Sequence, residues 1–258
     1  KDRFSAPVIT YGKEDANITA TDIVIETRLD DSYDPDEVFA LTRAHVQANG
    51  ETGELVLKNC LGEMSVLACL AAIAVARQAK VPVAKSIEAL NQQFSPAPGR
   101  LRPIPGIKGS LVIDDSYNAA PASVIAALET LKAFQTVEKK RKIVVLGNMA
   151  ELGQYSEAEH RNVGKKVAEV ADLFIAVGSE MKYAADEAGR SGMDTNAIEW
   201  MTNSVEAGRY LDRVVKKGDV ILVKGSQSAR MERTVKDIMA EPHRAADFLC
   251  RQDEKWLK

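Results

Sequence analysis

Cysteine is scarce in this 258-residue chain: Cys60, Cys69 and Cys250 show no paired spacing, which argues against a disulfide framework and against a zinc site. Histidine is equally sparse, and His45, His160 and His243 lie so far apart that each reads as a structural or exposed imidazole. Long apolar runs are missing as well. The longest, Met64 to Ala76, has thirteen residues, short of the ~20 that a membrane-spanning helix needs. Positive charge is not in excess, since 34 Lys and Arg face 37 Asp and Glu for a net charge of −3, so neither nucleic acid nor membrane insertion is expected. No signal-peptide triad opens the sequence, and the cytoplasm is the default setting. Two phosphate-binding patterns are also lacking. No Gly-x-x-x-x-Gly-Lys-[Ser/Thr] occurs, so nothing here cradles β- and γ-phosphates as a P-loop does, and no Gly-x-Gly-x-x-Gly follows the first strand after residue 142.

With 45% hydrophobic and 28% charged residues, the chain can bury a sizeable core in one or two domains. Residues 1 to 61 read as β-rich. Asn49-Gly50 is a strong hairpin signal and predicts strands over 38–46 and 54–59, whereas Asp34-Pro35-Asp36-Glu37 supplies a competing helix start. Met64 to Lys80 carries apolar residues on all faces and reads as a buried helix, with a shorter amphipathic helix over 83–94. Lys139-Lys140-Arg141-Lys142 reads as a solvated linker and places a domain boundary between 137 and 138. Beyond it, strands at 143–146, 173–177, around Ile198 and at 220–223 alternate with helices at 156–170, 182–190 and 204–215, the pattern of a doubly wound parallel sheet. Ser156 with Glu159 forms a capping-box pattern at the start of the first of these helices.

Chemistry concentrates in residues 110 to 123. Leu111 to Asp114 is a short apolar run ending in acid, and Pro121 and Ser123 open an Ala-rich segment, so the pattern is strand, polar turn, helix. In an open α/β sheet such a turn faces the ligand crevice, and this one holds Asp114, Asp115, Ser116, Tyr117 and Asn118. Carboxylates there suit a ribose hydroxyl or a hydrated metal. The same pattern also serves simply to close a strand and cap a helix. A second polar cluster, Lys224-Gly225-Ser226, ends the last strand and could hold a carboxylate or phosphate.

Asp115-Ser-Tyr-Asn-Ala-Ala-Pro121 resembles the Asp-Ser-Tyr-Asn-Ala-Asn-Pro signature of the Mur ligases, in particular their dipeptide-adding branch. Two further stretches match in order: Val145-Leu-Gly-Asn-Met-Ala-Glu-Leu-Gly153 with Ser156 to His160 and Gly164, and Leu222-Val-Lys-Gly-Ser-Gln-Ser-Ala-Arg-Met-Glu232. The resemblance implies a partial central domain of that family over 1–137, followed by a Rossmann-like doubly wound ligase domain over 138–258. It implies an ATP-dependent amide ligase using ATP and Mg2+, with UDP-N-acetylmuramoyl tripeptide and D-Ala-D-Ala as substrates. On this reading the chain is a fragment, because the phosphate-binding loop and the carbamylated lysine of the family should lie upstream of Lys1.

The resemblance also assigns residues. Arg100, in the Pro- and Gly-rich loop Ser95 to Arg100, would meet the nucleotide with Asp115, Tyr117 and Asn118, and Arg suits phosphate oxygens because its fork stays charged. Asn148, Lys224, Ser226, Ser228 and Arg230 would contact the substrates. Departures are visible too: Met64, Ser65 and Ala68 stand where the family has His and two Asn, the last of which meets adenine. Asn148 and Gln227 each replace a charged family residue. A decayed binding module on the same fold, or a ligase with a different amino substrate, therefore remain alternative readings. A split central domain would leave a sheet edge exposed, which predicts some self-association.

Overall fold

The computed structural model describes residues 8–27, 40–134 and 140–257. The chain forms two compact units that divide at Pro96 and Ala97, and the described part of the first is 8–27 with 40–96. That unit holds a four-stranded sheet of β1 (Tyr11–Gly12), β2 (Ile18–Thr27), β3 (Ala40–Ala48) and β4 (Glu51–Lys58) in that order, with α1 (Glu63–Gln78) and α2 (Val83–Gln93). The hairpin expected around Asn49-Gly50 is present: β3 and β4 pair antiparallel from Ala48↔Glu51, and both turn residues have positive φ, 46° and 85°. The competing helix start at 34–37 lies outside the described residues.

One expectation for this unit fails. Helix α1 is not buried all round: Val66, Cys69, Leu70 and Ile73 pack with Ile18, Val46, Leu55 and Leu57 of the sheet, while Met64, Ala68, Ala72 and Val75 form an exposed stripe. The single sheet covers one face of the helix, and apolar composition alone could not show which.

The second unit, described over 97–134 and 140–257, is built on a six-stranded sheet. Its strands are β5 (Arg102–Pro105), β6 (Leu111–Asp115), β7 (Lys142–Gly147), β8 (Leu173–Val177), β9 (Ile198–Met201) and β10 (Val220–Lys224), in the spatial order β5-β6-β10-β7-β8-β9. All neighbours run parallel except β5, which pairs antiparallel with β6. Strands β6, β8 and β10 are fully buried runs such as Leu173-Phe-Ile-Ala-Val177 and Val220-Ile-Leu-Val-Lys224, as expected of a sheet covered on both faces, whereas edge strand β9 is only partly buried.

Helices α3 (Pro121–Ala133), α4 (Ser156–Ala168) and α5 (Met181–Arg190) pack in succession, and α6 (Ser204–Val214) packs on α7 (Glu232–Ile238). Ala207, Leu211, Val235 and Ile238 of the latter pair meet Ile143, Val145, Ile175, Ile221 and Val223. The alternate residues Val144, Leu146, Phe174, Ala176 and Leu222 are buried on the other face. Short helices α8 (Ala245–Phe248) and α9 (Glu254–Leu257) end the chain.

This topology corrects the boundary placed between 137 and 138. Strand β10 lies between β6 and β7 and is hydrogen-bonded to both, so a division between β6 and β7 would cut the parallel β6–β10 ladder and split one sheet. The basic run leads into β7 instead: Arg141 grips the Asp219 carboxylate through Nη2 at 2.6 Å, and Lys142 begins the strand. The capping box at Ser156 is also absent. Tyr155 precedes the helix without a side-chain cap, and the Ser156 hydroxyl donates to Glu180 Oε2 at 2.7 Å. Among the described residues no helix is long and apolar enough to cross a membrane.

Candidate functional site

Strand β10 is flanked by two strands whose following helices, α3 and α4, lie on one face of the sheet, whereas its own following helix, α7, lies on the other. The chain therefore parts to opposite faces on either side of β10, and in open α/β sheets the crevice beyond the carboxyl ends at such a point is where ligands bind. The loops leaving β6, β7 and β10 are the three that carry the sequence motifs.

The loop after β6 is held from below and from the side. Asp114 is fully buried at the end of the strand; its Oδ1 accepts from the Ser116 amide at 3.0 Å, while Oδ2 has no hydrogen-bond partner. Burial pushes its carboxyl up to about 6, with the neighbouring Asp115 charge adding to the shift and the Ser116 hydrogen bonds opposing it. Asp115 is 5% exposed and spends both oxygens internally, accepting from Lys224 Nζ at 2.6 Å and from the Leu101 amide at 3.2 Å. Burial pushes this carboxyl up as well, against the opposing pull of the Lys224 ammonium. Asn118 offers its backbone carbonyl to Lys224 at 2.8 Å and folds its side chain back on the Ala119 amide.

Antiparallel β5 returns the chain to this end of β6, which is how the loop before it arrives here. Gly99 accepts the Tyr117 amide on its carbonyl, has φ +73°, and leaves only 2.8 Å between a would-be Cβ and the Tyr117 nitrogen, so both conformation and space call for glycine. Arg100 then lies over the Tyr117 ring at 4.3 Å. Tyr117 is half exposed, and a guanidinium stacked on an aromatic face keeps its N–H edge free for an anion.

The substrate residues expected after β7 and β10 are less open than their types suggest. Lys224 is 1% exposed, and its ammonium is divided between Asp115 and the Asn118 carbonyl, so it is not a free cation for phosphate or carboxylate. Asn148 ties three loops together: its Oδ1 accepts from the Met181 amide, its amide donates to the Val177 carbonyl, and its carbonyl accepts from the Ser226 amide. Ser226 is buried with its hydroxyl 3.2 Å from that of exposed Ser228. Arg230, in the left-handed region at φ 53°, pairs with Glu232 and donates to the Trp256 carbonyl at 2.8 Å. The nine expected residues thus divide between β6 and its flanking loop (Arg100, Asp115, Tyr117, Asn118) and the loops after β7 and β10 (Asn148, Lys224, Ser226, Ser228, Arg230). The Asp115–Lys224 bridge joins the two sets.

Several members of this cluster were not singled out from the sequence. Glu232 is 1% exposed and accepts from Arg230 through Oε1 and from Arg251 through Oε2. Arg251 reaches the Ser116 and Tyr117 carbonyls, and Cys250 Sγ stands 3.7 Å from the Ser116 hydroxyl. Glu232 ends a motif already quoted, so its position was visible there. No local pattern marks Cys250 or Arg251, which reach the site only through the fold. His160, buried after β7, accepts from the Met149 amide on Nε2 and donates from Nδ1 to the Ser156 carbonyl, a structural imidazole as expected. In the first unit, Met64, Ser65 and Ala68 sit in the first two turns of α1, with Met64 and Ala68 exposed and Ser65 partly so. No three His, Cys, Asp or Glu side chains gather to hold a metal ion among the described residues.

Residues 99–227, half of the chain, match the family model of the Mur ligase, glutamate ligase domain. The UDP-N-acetylmuramoyl-tripeptide–D-alanyl-D-alanine ligase of Haemophilus influenzae is 33% identical over 178 residues, covering 68% of this chain and 37% of that protein. The ligase of the same name from Escherichia coli is 31% identical over 210 residues, covering 77% of this chain and 44% of its own length. A crystal structure of MurF from Acinetobacter baumannii superposes with a TM-score of 0.70 at 27% identity, covering 89% of this chain and 46% of that one. The chain spans less than half the length of the curated relatives it matches. With that family model over residues 99–227 and these relatives alongside it, the chain belongs to the Mur ligase family.

Proposed function

We propose that the protein to which this chain belongs joins D-Ala-D-Ala to UDP-N-acetylmuramoyl tripeptide at the expense of ATP, in the cytoplasm, as a step of peptidoglycan precursor synthesis. The observation that carries the reading is the convergence of three motif-bearing loops around β10, on a chain whose curated relatives bear that name. In the proposed reaction the tripeptide carboxylate attacks the terminal phosphate of ATP, releasing ADP and leaving an acyl phosphate. The dipeptide amine then attacks the acyl carbon, and the tetrahedral intermediate expels phosphate to leave the amide.

Anionic charge builds up in both steps, and cationic and amide donors aimed at it lower the barrier. On this chain Arg100 is the residue best placed for phosphate oxygens, because stacking on Tyr117 holds its guanidinium in one plane. Asp115 fits a ribose hydroxyl less well than its type suggests, since both oxygens already accept hydrogen bonds in a site 5% exposed. Lys224 acts through Asp115 and Asn118, holding the loop shape rather than meeting the substrate. Ser228 and Gln227, exposed after β10, are left as the polar groups of that loop for the substrates. No metal ligand is proposed on this chain, and Mg2+ enters as the counter-ion of ATP.

Arg100→Ala, in the chain extended to the length of its relatives, is expected to raise the KM for ATP about tenfold with a smaller effect on kcat, the signature of lost uniform binding. An unchanged KM for ATP would remove Arg100 from the nucleotide site. Self-association through a sheet edge stays part of the proposal. In the second unit it would fall to β9, because Pro103 and Pro105 blunt edge strand β5.

A further inference from the structure

We infer that Arg251 is a positioning residue, through which the segment following α8 pins the loop after β6 to the loop after β10. Its side chain is 4% exposed and reaches three partners on two other segments. Nη1 donates to the Ser116 carbonyl at 3.3 Å and lies 3.3 Å from Glu232 Oε2, and Nη2 donates to the Tyr117 carbonyl at 2.5 Å. Two consecutive carbonyls of the β6 loop are thus fixed by one planar fork, which a point charge could not do. The backbone at Arg251 is in the left-handed region, φ 57°, a conformation that L residues adopt only when their surroundings enforce it.

Glu232 extends the clamp. Its two oxygens face Arg230 from the β10 loop and Arg251 from the C-terminal segment, so one buried carboxylate joins the two guanidiniums. The Trp256 ring lies under both, at 5.1 Å from Arg230 and 5.6 Å from Arg251, and its carbonyl takes a further bond from Arg230. The Arg251 guanidinium also stands 5.3 Å from the Tyr117 ring that carries Arg100. The orientation of Tyr117, and with it the plane of Arg100, is therefore set from the end of the chain. This segment lies beyond the residues matched by the family model, which stop at 227.

The test reads backbone amide exchange by NMR on the 258-residue chain. Arg251→Lys keeps a positive charge opposite Glu232 but cannot bridge both carbonyls. Exchange at the Ser116, Tyr117 and Ala119 amides is expected to rise about tenfold, with the β7 and β8 amides little changed. Unchanged loop amides, or an equal acceleration of loop and strands, would overturn the inference, the latter by showing a contribution to global stability only. Should Arg251→Lys not fold, Trp256→Leu removes the ring beneath the two guanidiniums and is expected to loosen the same amides to a smaller extent; no loosening there would equally overturn it. A second readout rests on the ligase reading: in the extended protein, Arg251→Lys raises the KM for ATP about tenfold and leaves kcat within about twofold. An extended parent without turnover would sink the ligase reading and leave the exchange result to decide the role of Arg251, whereas a loss confined to kcat would contradict positioning of the nucleotide loop.

Discussion

Asp114 and Asp115 are neighbours in sequence with opposite surroundings. Asp115 has a buried ammonium at 2.6 Å, and Asp114 has an oxygen with no partner at all. An unpaired buried carboxylate is costly, so Asp114 holds its proton longer in the folded chain, to about pH 6, than the ordinary 3.8 of an unfolded one. The sign follows: between those values the folded state binds the extra proton, so this group makes stability fall as pH rises, by about 3 kcal/mol in all for a shift of this size. Asp114→Asn, compared with the parent in urea unfolding, is expected to gain stability steadily from pH 4 to pH 7. A difference between the two that is constant over that range would contradict the account. At this scale the sequence was legible in type and not in use. It showed a carboxylate pair, a lysine and two serines at strand ends, but which of them were already spent on one another depended on β10 lying beside β6.

Elements were the most readable level. From residue 142 to 224 each strand and helix fell within about three residues of its expected bounds, because short apolar runs and amphipathic repeats alternate at a spacing that only a covered parallel sheet satisfies. The reading failed where long-range pairing decides. The domain division moved from 137 to 96 because β10, late in the chain, inserts between β6 and β7. Helix α1 was expected to be buried because a sequence shows how apolar a helix is, and not how many sheets it has to cover. Close packing of elements can be tested at Gly164, where α4 crosses α5: a Cβ there would come within 2.1 Å of the Ala184 carbonyl oxygen, backbone that cannot swing aside. Gly164→Ala is expected to cost roughly 1–3 kcal/mol in chemical unfolding. A cost below about 0.5 kcal/mol would show that the α4–α5 contact has slack.

At the scale of the molecule, three loops meet at the carboxyl ends of β6, β10 and β7, and the end of the chain ties two of them together. The family was legible from motif order, since three separated stretches matched in sequence. The departures that the resemblance implies at Met64, Ser65, Ala68, Asn148 and Gln227 bear on nucleotide and substrate binding rather than on the fold. The measurement that decides their effect is phosphate release by the chain extended to the length of its relatives, supplied with ATP, Mg2+, UDP-N-acetylmuramoyl tripeptide and D-Ala-D-Ala. Release is expected to require both the tripeptide and the dipeptide. Release without the dipeptide, or none with all four present, would contradict the proposed function.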